Sequence, residues 1–233
     1  MPVPYFYEPS LNIGVNQFTL SPETSKHCVQ VLRMQEGANI DITNGMGAVF
    51  NATIQTAHKA NSVVTIQQHQ TVAASQQKIT LGISLLKNAV RLEWLFEKAT
   101  EMGIHQIVPI ICERTIHERF KMDRMQNILQ SAMIQSQQAW LPLLCEPITL
   151  NAFMQQHKAS VNLIAHCEPS DKKNIKEISA LDDVNLLIGP EGDFSKSEIA
   201  TAISNNYTPI QLGPTRLRTE TAGIFALSVL KIF

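Results

Sequence analysis

The sequence predicts an α/β fold preceded by a smaller, β-rich amino-terminal domain. Three observations carry this. Residues 1–72 are dominated by β-type alternation, and a polar stretch, Gln67 to Lys78 (QQHQTVAASQQK), then breaks the periodicity. After it, buried apolar runs alternate with amphipathic helical segments, the mark of a sheet with helices layered on its faces. The domains are therefore placed at 1–72 and 73–233.

In the first domain, Phe18-Thr19-Leu20 is a short extended run, and Thr24 to Arg33 reads as a helix with Cys28, Val31 and Leu32 on one face. Ile40–Thr43 and Ala48–Ile54 read as strands joined at Asn44-Gly45, a strong hairpin signal because both residues tolerate positive φ. Gly45-Met46-Gly47 is therefore turn chemistry; a dinucleotide fingerprint would open a helix, and a strand follows instead. Ser62 to Gln68 continues the β pattern.

Beyond the polar stretch, Ile79–Leu86 reads as a strand, and Asn88 caps a helix running to Met102 and closed by Gly103. Ile107–Ile111 is the next strand. Lys121 to about Ala139 reads as a long helix with Met125, Ile128, Leu129, Ala132 and Met133 on one side. Val161–Ala165 and Val184–Ile188 are further buried-strand runs. Ser195 and Glu198 form a capping box for a helix through Ile203, Pro209–Leu212 is a last short strand, and an Ala- and Leu-rich helix follows from about Thr219.

Bulk properties describe an ordinary globular chain of 233 residues, 44% apolar and 17% charged. No apolar run is long enough to span a membrane, and MPVPYFYEPS lacks the features of a secretory signal, so a cytoplasmic protein is expected. The four cysteines, at 28, 112, 145 and 167, form no C-x-x-C pair, and the histidines show no ligand spacing, so no metal is expected. The net charge is −1: residues 1–72 hold three Lys/Arg against four Asp/Glu, and the remainder holds sixteen of each. Composition alone does not suggest a nucleic-acid partner, since proteins that grip phosphates usually carry a basic excess. Any RNA must meet a local patch or a surface completed by a second subunit.

Two segments can carry chemistry, because each places a Gly-Pro turn straight after a strand: LLIGPEGDFSKSEIA (186–200) and LGPTRLRTETAGIFAL (212–227). Ligands of open α/β sheets bind outside the carboxyl ends of strands, where glycine lets a backbone approach closely. Gly-Pro is also ordinary turn punctuation, and turn chemistry alone leaves both readings open. Neither segment is a Walker loop, G-x-S-x-G or G-x-G-x-x-G, so nucleotide hydrolysis, esterase chemistry and dinucleotide oxidoreduction lose their usual signatures.

GPEG at 189–192, with Phe194-Ser195 and Glu198-Ile199, resembles one knot motif of the SPOUT RNA methyltransferases, and LGPTRLRTETA at 212–222 resembles the second. The chain most resembles the family that methylates N3 of a uridine in bacterial small-subunit ribosomal RNA. Further matches are Lys87, Glu93, Lys98, Thr100-Glu101 and Gly103, then Pro109 and Glu113-Arg114. In the first domain, His27, Val31-Leu32-Arg33, Gly37, Asn44-Gly45 and Gly47 resemble the family's PUA-like module. Three departures stand out. Asp193 replaces a usual Gly, Ile134–Gln138 lacks both charges of an E-Q-S-x-R-like stretch, and Pro4 stands where an Arg is common.

The resemblance implies a PUA-like β-barrel followed by a SPOUT domain with a deep trefoil knot, an exception to unknotted topology. It implies S-adenosylmethionine held by Leu187, Ile188, Gly189, Pro190, Glu191, Gly192, Leu212, Gly213, Leu217, Thr219, Thr221 and Ala222, with adenine between backbone segments. Uridine N3 bears a proton at neutral pH, so the site needs a base, or a cation that stabilises the uracil anion. Arg218 is expected to stabilise charge on a uracil oxygen, with Glu220 as base or as orienter of that arginine. Glu220 can equally be a first-turn carboxylate complementing the helix dipole, Glu191 a turn-holding acid, and Thr219 and Thr221 caps.

His27, Arg33, Lys59, Lys87 and Arg216 are the expected contacts to ribosomal RNA, within a small-subunit particle. A homodimer is implied too, since Ile224, Phe225, Leu227, Leu230, Ile232 and Phe233 give the last helix more apolar surface than one core-facing stripe needs. Other outcomes are a different acceptor (a ribose 2′-hydroxyl or another base nitrogen), an RNA-binding module with an inactive enzymatic half, and a small-molecule α/β enzyme.

Overall fold

The computed structural model describes residues 3–116, 119–178 and 183–232. The chain forms two compact units, Met1–Ala74 with Gln130–Leu141, and Ser75–Leu129 with Pro142–Phe233.

In the first unit, β1 (Tyr5–Tyr7), β2 (Gln17–Thr19), β3 (Asn39–Thr43), β4 (Ala48–Thr56) and β5 (Val63–Thr71) form one sheet in the order β1-β3-β4-β5-β2. β3, β4 and β5 make an antiparallel meander, whereas β1 runs parallel to β3. Alternation sends Ile40, Ile42, Phe50, Ala52 and Ile54 into a core shared with Phe6, Leu11, Leu20 and Cys28. The β3–β4 connection differs from a two-residue turn. It spans four residues, with positive φ at Gly45 (70°) and Gly47 (91°) but not at Asn44. Asn44 instead accepts hydrogen bonds at Oδ1 from the backbone of Met46 (2.9 Å) and Ala48 (3.1 Å), an Asx-type brace that substitutes for a primed turn.

Two further expectations are corrected here. The helix begins at Pro22, capped by Ser21, runs as α1 (Pro22–Lys26), and widens to a π turn over His27–Val31 before Arg33 stops it at φ 55°. The wider turn rotates the following side chains, so Cys28 is buried while Val31 and Leu32, expected beside it, are exposed. Nor is the polar stretch a linker from its start. β5 continues through Thr71: Gln67 sits at a bulge, and residues 68–71 are exposed while still paired to β4, so the lost periodicity marks a strand end without a buried face.

The second unit contains β6 (Ile79–Ser84), α2 (Ala89–Glu101), β7 (Gln106–Ile111) and α3 (Met122–Gln135), which from Gln130 onward belongs to the first unit. It continues with β8 (Leu143–Leu144), β9 (Ile148–Thr149), α4 (Leu150–Gln156), β10 (Val161–Ala165), β11 (Lys173–Asn174), β12 (Val184–Ile188), α5 (Lys196–Ser204), β13 (Thr208–Gln211) and α6 (Thr219–Ile232). The eight strands form a parallel sheet in the order β11-β13-β10-β12-β6-β7-β8, with β9 also paired to β7. β6 and β12 are buried along their whole length, the signature of parallel strands covered on both faces. Val108, Ile110, Phe153, Ile164, Leu187 and Phe194 join in one core cluster.

The expected caps are present. Asn88 accepts from the Val90 amide (3.0 Å), and Ser195 and Glu198 form the reciprocal capping box. α3 stops at Gln135, four residues before Ala139, because Gln137 takes a left-handed φ of 53°. Among the described residues no helix is long and apolar enough to cross a membrane, and no cluster of His, Cys, Asp and Glu could hold a metal.

Candidate functional site

β13, β10 and β12 are neighbours and parallel, so their carboxyl ends lie side by side, with Ala165 in register with both Ile188 and Ile210. The chain leaves β12 through Gly189-Pro190 and β13 through Leu212-Gly213-Pro214. A cleft of about 790 Å³ opens there, within the range that holds small-molecule cofactors.

Ile188, Gly189, Pro190 and Glu191 line one wall, and Leu212, Gly213, Arg216, Leu217, Arg218, Thr219 and Ala222 line another. Three of the expected contacts do not line it. Leu187 is fully buried in the core, Gly192 faces Arg114, and Thr221 is exposed on α6. Glu220 is not in the lining either. It is buried, with Oε1 3.6 Å from Nε of Arg91, which does line the cleft. Arg218 is exposed on the wall, and the structure pairs Glu220 with Arg91 instead of Arg218. The backbone N–H of Lys87 donates to Glu191 Oε1 (3.2 Å), which brings Lys87 to the rim and gives Glu191 a bracing partner.

Sequence reasoning missed Arg91, His166, Cys167, Lys172 and Asp193, all part of the lining. Most follow β10, and only the strand order, which inserts β10 between β12 and β13, shows that its end meets the two Gly-Pro turns. Asp193 has φ 64°, a conformation that costs non-glycine residues about 1 kcal/mol and that a glycine, the residue the resemblance leads one to expect here, adopts freely. It compensates by accepting from the Cys167 amide at Oδ2 (2.8 Å) and the Phe194 amide at Oδ1 (2.9 Å), tying the β12 turn to the end of β10. Asp193→Ala keeps the backbone cost and loses both bonds, so urea unfolding should show a loss of about 2 kcal/mol. Asp193→Gly relieves the strain and should recover about 1 kcal/mol of that.

The Glu113-Arg114 pair braces the same turn from β7's side: Arg114 Nη1 donates to the Gly192 carbonyl (2.8 Å) and the Glu113 amide to Glu198 Oε1 (2.8 Å). Burial pushes the Cys112 thiol up to about 12, so it is an unreactive core thiol.

In the first unit, Arg33 and Ala57 line one shallow depression, and the Ser62 amide donates to Ser25 Oγ (3.0 Å). This brings Arg33 to the same end as the β4–β5 loop that carries Lys59. His27 sits one and a half turns earlier, edge-on to Phe6.

The chain matches the RNA methyltransferase domain family over residues 73–231 and the RNA methyltransferase PUA domain over residues 20–67. It is 29% identical to the ribosomal RNA small subunit methyltransferase E of Synechocystis, over 90% of this chain and 71% of that one. Against the enzyme of the same name from Bacillus subtilis the figures are 27%, 91% and 89%. The crystal structure of ribosomal RNA small subunit methyltransferase E from Neisseria gonorrhoeae, bound to S-adenosyl methionine, superposes with a TM-score of 0.89 at 27% identity, covering 99% of this chain and 98% of that one. A Legionella pneumophila chain in complex with the bound cofactor SAM superposes with a TM-score of 0.88 at 33% identity, over 100% and 98%. With a PUA domain joined to a parallel-sheet domain that matches almost end to end, this chain belongs to the RNA methyltransferase family, among the ribosomal RNA small subunit methyltransferase E enzymes.

Proposed function

We propose that this enzyme transfers a methyl group from S-adenosylmethionine to N3 of a uridine in small-subunit ribosomal RNA, in the cytoplasm. The observation that carries it is the cleft between two Gly-Pro turns at adjacent carboxyl strand ends. The residues present suit this cofactor. Gly189 lets the turn pack directly on the buried Phe194, which fixes the backbone of this wall, and the wall offers both Arg216, Arg218 and Lys172 and the acids Glu191 and Asp193 to a ligand with both charges. The reading includes the family's trefoil knot, at the turns 187–192 and 212–217.

When bound, S-adenosylmethionine supplies an electrophilic methyl on a sulfonium. Arg218 offers a guanidinium on the open wall, where it can meet a uracil oxygen and, by stabilising the anion, favour passage of the N3 proton to solvent water. Glu220 is buried against Arg91 and outside the cleft lining, which supports neither proton removal nor the orienting of Arg218; the role that suits it is to orient Arg91, which lines the cleft. Thr219 opens α6 and Ala222 admits close approach of the ligand, while Arg216 and Lys87 at the rim suit phosphate contacts.

The first unit is assigned to RNA recognition through Arg33, Lys59 and His27. Phosphate contacts release counterions, so Arg33→Ala and Lys59→Ala should each reduce the slope of log affinity against log salt by about one. Filter binding to small-subunit RNA across a salt series reads this directly, and unchanged slopes would remove both residues from the interface.

A homodimer is part of the reading. Leu227 and Leu230 of α6 are used in the core, but Ile224 and Phe225 are only half-buried, and α2, packed against α6, exposes Val90 (69%) and Trp94 (44%). The side chains of Ile232 and Phe233, also expected to contribute, lie outside the described residues. Light scattering at micromolar concentration should give twice the chain mass of 26.0 kDa, and a monomeric mass contradicts the dimer.

The test of the activity is transfer of labelled methyl to purified small subunits or their RNA, followed by nucleoside analysis. Label in 3-methyluridine supports the reading; label in a ribose-methylated nucleoside moves the acceptor.

A further inference from the structure

His166 follows β10 directly and lines the cleft, yet it is only 8% exposed and neither imidazole nitrogen finds a hydrogen-bond partner in the protein. Buried side-chain nitrogens are nearly always paired, because an unpaired polar group out of water costs free energy that no packing returns. One other such group occurs among the described residues, the Tyr207 hydroxyl, and it is not part of the cleft. The backbone at His166 is well fixed. Its carbonyl accepts from Lys172 Nζ (2.6 Å), and the next amide, of Cys167, donates to Asp193 (2.8 Å). The ring is thus held at the cleft with its own polar capacity unspent.

We propose that His166 is a binding residue for the nucleoside end of the cofactor, offering one ring nitrogen as donor and the other as acceptor to a ribose hydroxyl or an adenine edge. This rests on the reading of the cleft as a cofactor site. The choice of the nucleoside end follows from charge. Burial and then the Lys172 ammonium lower the pKa of His166, while the Asp193 and Glu168 carboxylates and the Glu168 backbone pull the other way. The Glu168 backbone contact falls outside hydrogen-bond geometry, so both nitrogens stay unpaired. A neutral imidazole complements hydroxyls and ring nitrogens, which both give and accept. The charged amino-acid end of the cofactor is better matched by the charged side chains nearby, Lys172, Arg216, Arg218 and Glu191.

The test compares wild-type protein with His166→Leu and His166→Ala, titrated calorimetrically with S-adenosylmethionine, S-adenosylhomocysteine and 5′-methylthioadenosine, the last lacking the amino-acid end. The expected result is a loss of about tenfold for each variant, equal for all three ligands, as for one or two lost neutral hydrogen bonds. The melting temperature of ligand-free His166→Leu should be unchanged or raised, because the leucine removes an unpaired polar group and no bond. Unchanged affinity for 5′-methylthioadenosine in His166→Ala overturns the inference, as does a loss confined to the two ligands that carry the amino-acid end. Failure of the wild-type protein to bind any of the three would instead sink the cofactor site itself.

Discussion

Arg218→Ala is expected to lower kcat by about two orders of magnitude while leaving cofactor affinity close to wild type, as for loss of one preorganised donor to a developing anion. The guanidinium lies on the exposed wall formed by the loop between β13 and α6, at the edge of the cleft, where an extruded base can face it. A positive charge there favours the deprotonated uracil, so the effect falls on the chemical step. Arg218→Lys should restore the rate only in part, because an ammonium lacks the planar pair of donors. If Arg218 only gripped a phosphate, KM would rise and kcat at saturation would be kept. Single-turnover methyl transfer at saturating RNA and cofactor separates the two, and a wild-type rate for the Ala variant assigns the chemistry elsewhere, with Arg216 and Arg91 next in line.

Gly189→Val should abolish measurable binding of S-adenosylmethionine, a loss of about two orders of magnitude or more. A Cβ at this position would lie 3.0 and 3.1 Å from the Phe194 ring and 3.2 Å from its backbone nitrogen. Phe194 is fully buried and cannot yield cheaply, so the turn itself must move, at an overpacking cost of about 1–3 kcal/mol. Gly213→Val should cost less. Nothing lies within 4 Å of its added Cβ, and its φ of 147° leaves only backbone strain to overcome. Calorimetry on both variants, with thermal melts as a check on folding, should rank Gly189→Val well below Gly213→Val. The reverse order, or wild-type affinity in both, would mean that the cofactor does not press against these turns.

The two variants differ for a reason the amino-acid sequence could not display. Both glycines precede proline after a strand and look equivalent, but one is packed against a core phenylalanine and the other faces open space. Elements with a local signature were legible. The buried runs of β6, β10 and β12, the Asn88 cap and the Ser195–Glu198 capping box all depend on residues a few positions apart. Features set by distant partners were not. β1 is a strand because Tyr5–Tyr7 pairs in parallel with Asp41–Thr43, and α4 is a seven-residue helix begun by a Thr149 cap without a long periodic face. The π turn at His27–Val31 reversed the exposure expected for Val31 and Leu32, since periodicity assumes a regular helix.

At the site, the two motif-bearing walls were readable. The third wall was not, because His166, Cys167 and Lys172 follow a strand whose neighbours are decided by the crossover from β12 to β13. Glu220 shows the same limit. Its spacing from Arg218 suggested that pair, whereas folding brings it to Arg91, more than a hundred residues earlier in the chain.

The most direct measurement of the central claim is mass analysis of small-subunit ribosomal RNA nucleosides from cells with and without this gene. 3-Methyluridine should be lost from that RNA when the gene is removed. It should be restored by the wild-type chain but far less by Arg218→Ala. Undiminished 3-methyluridine in cells lacking the gene would contradict the claim.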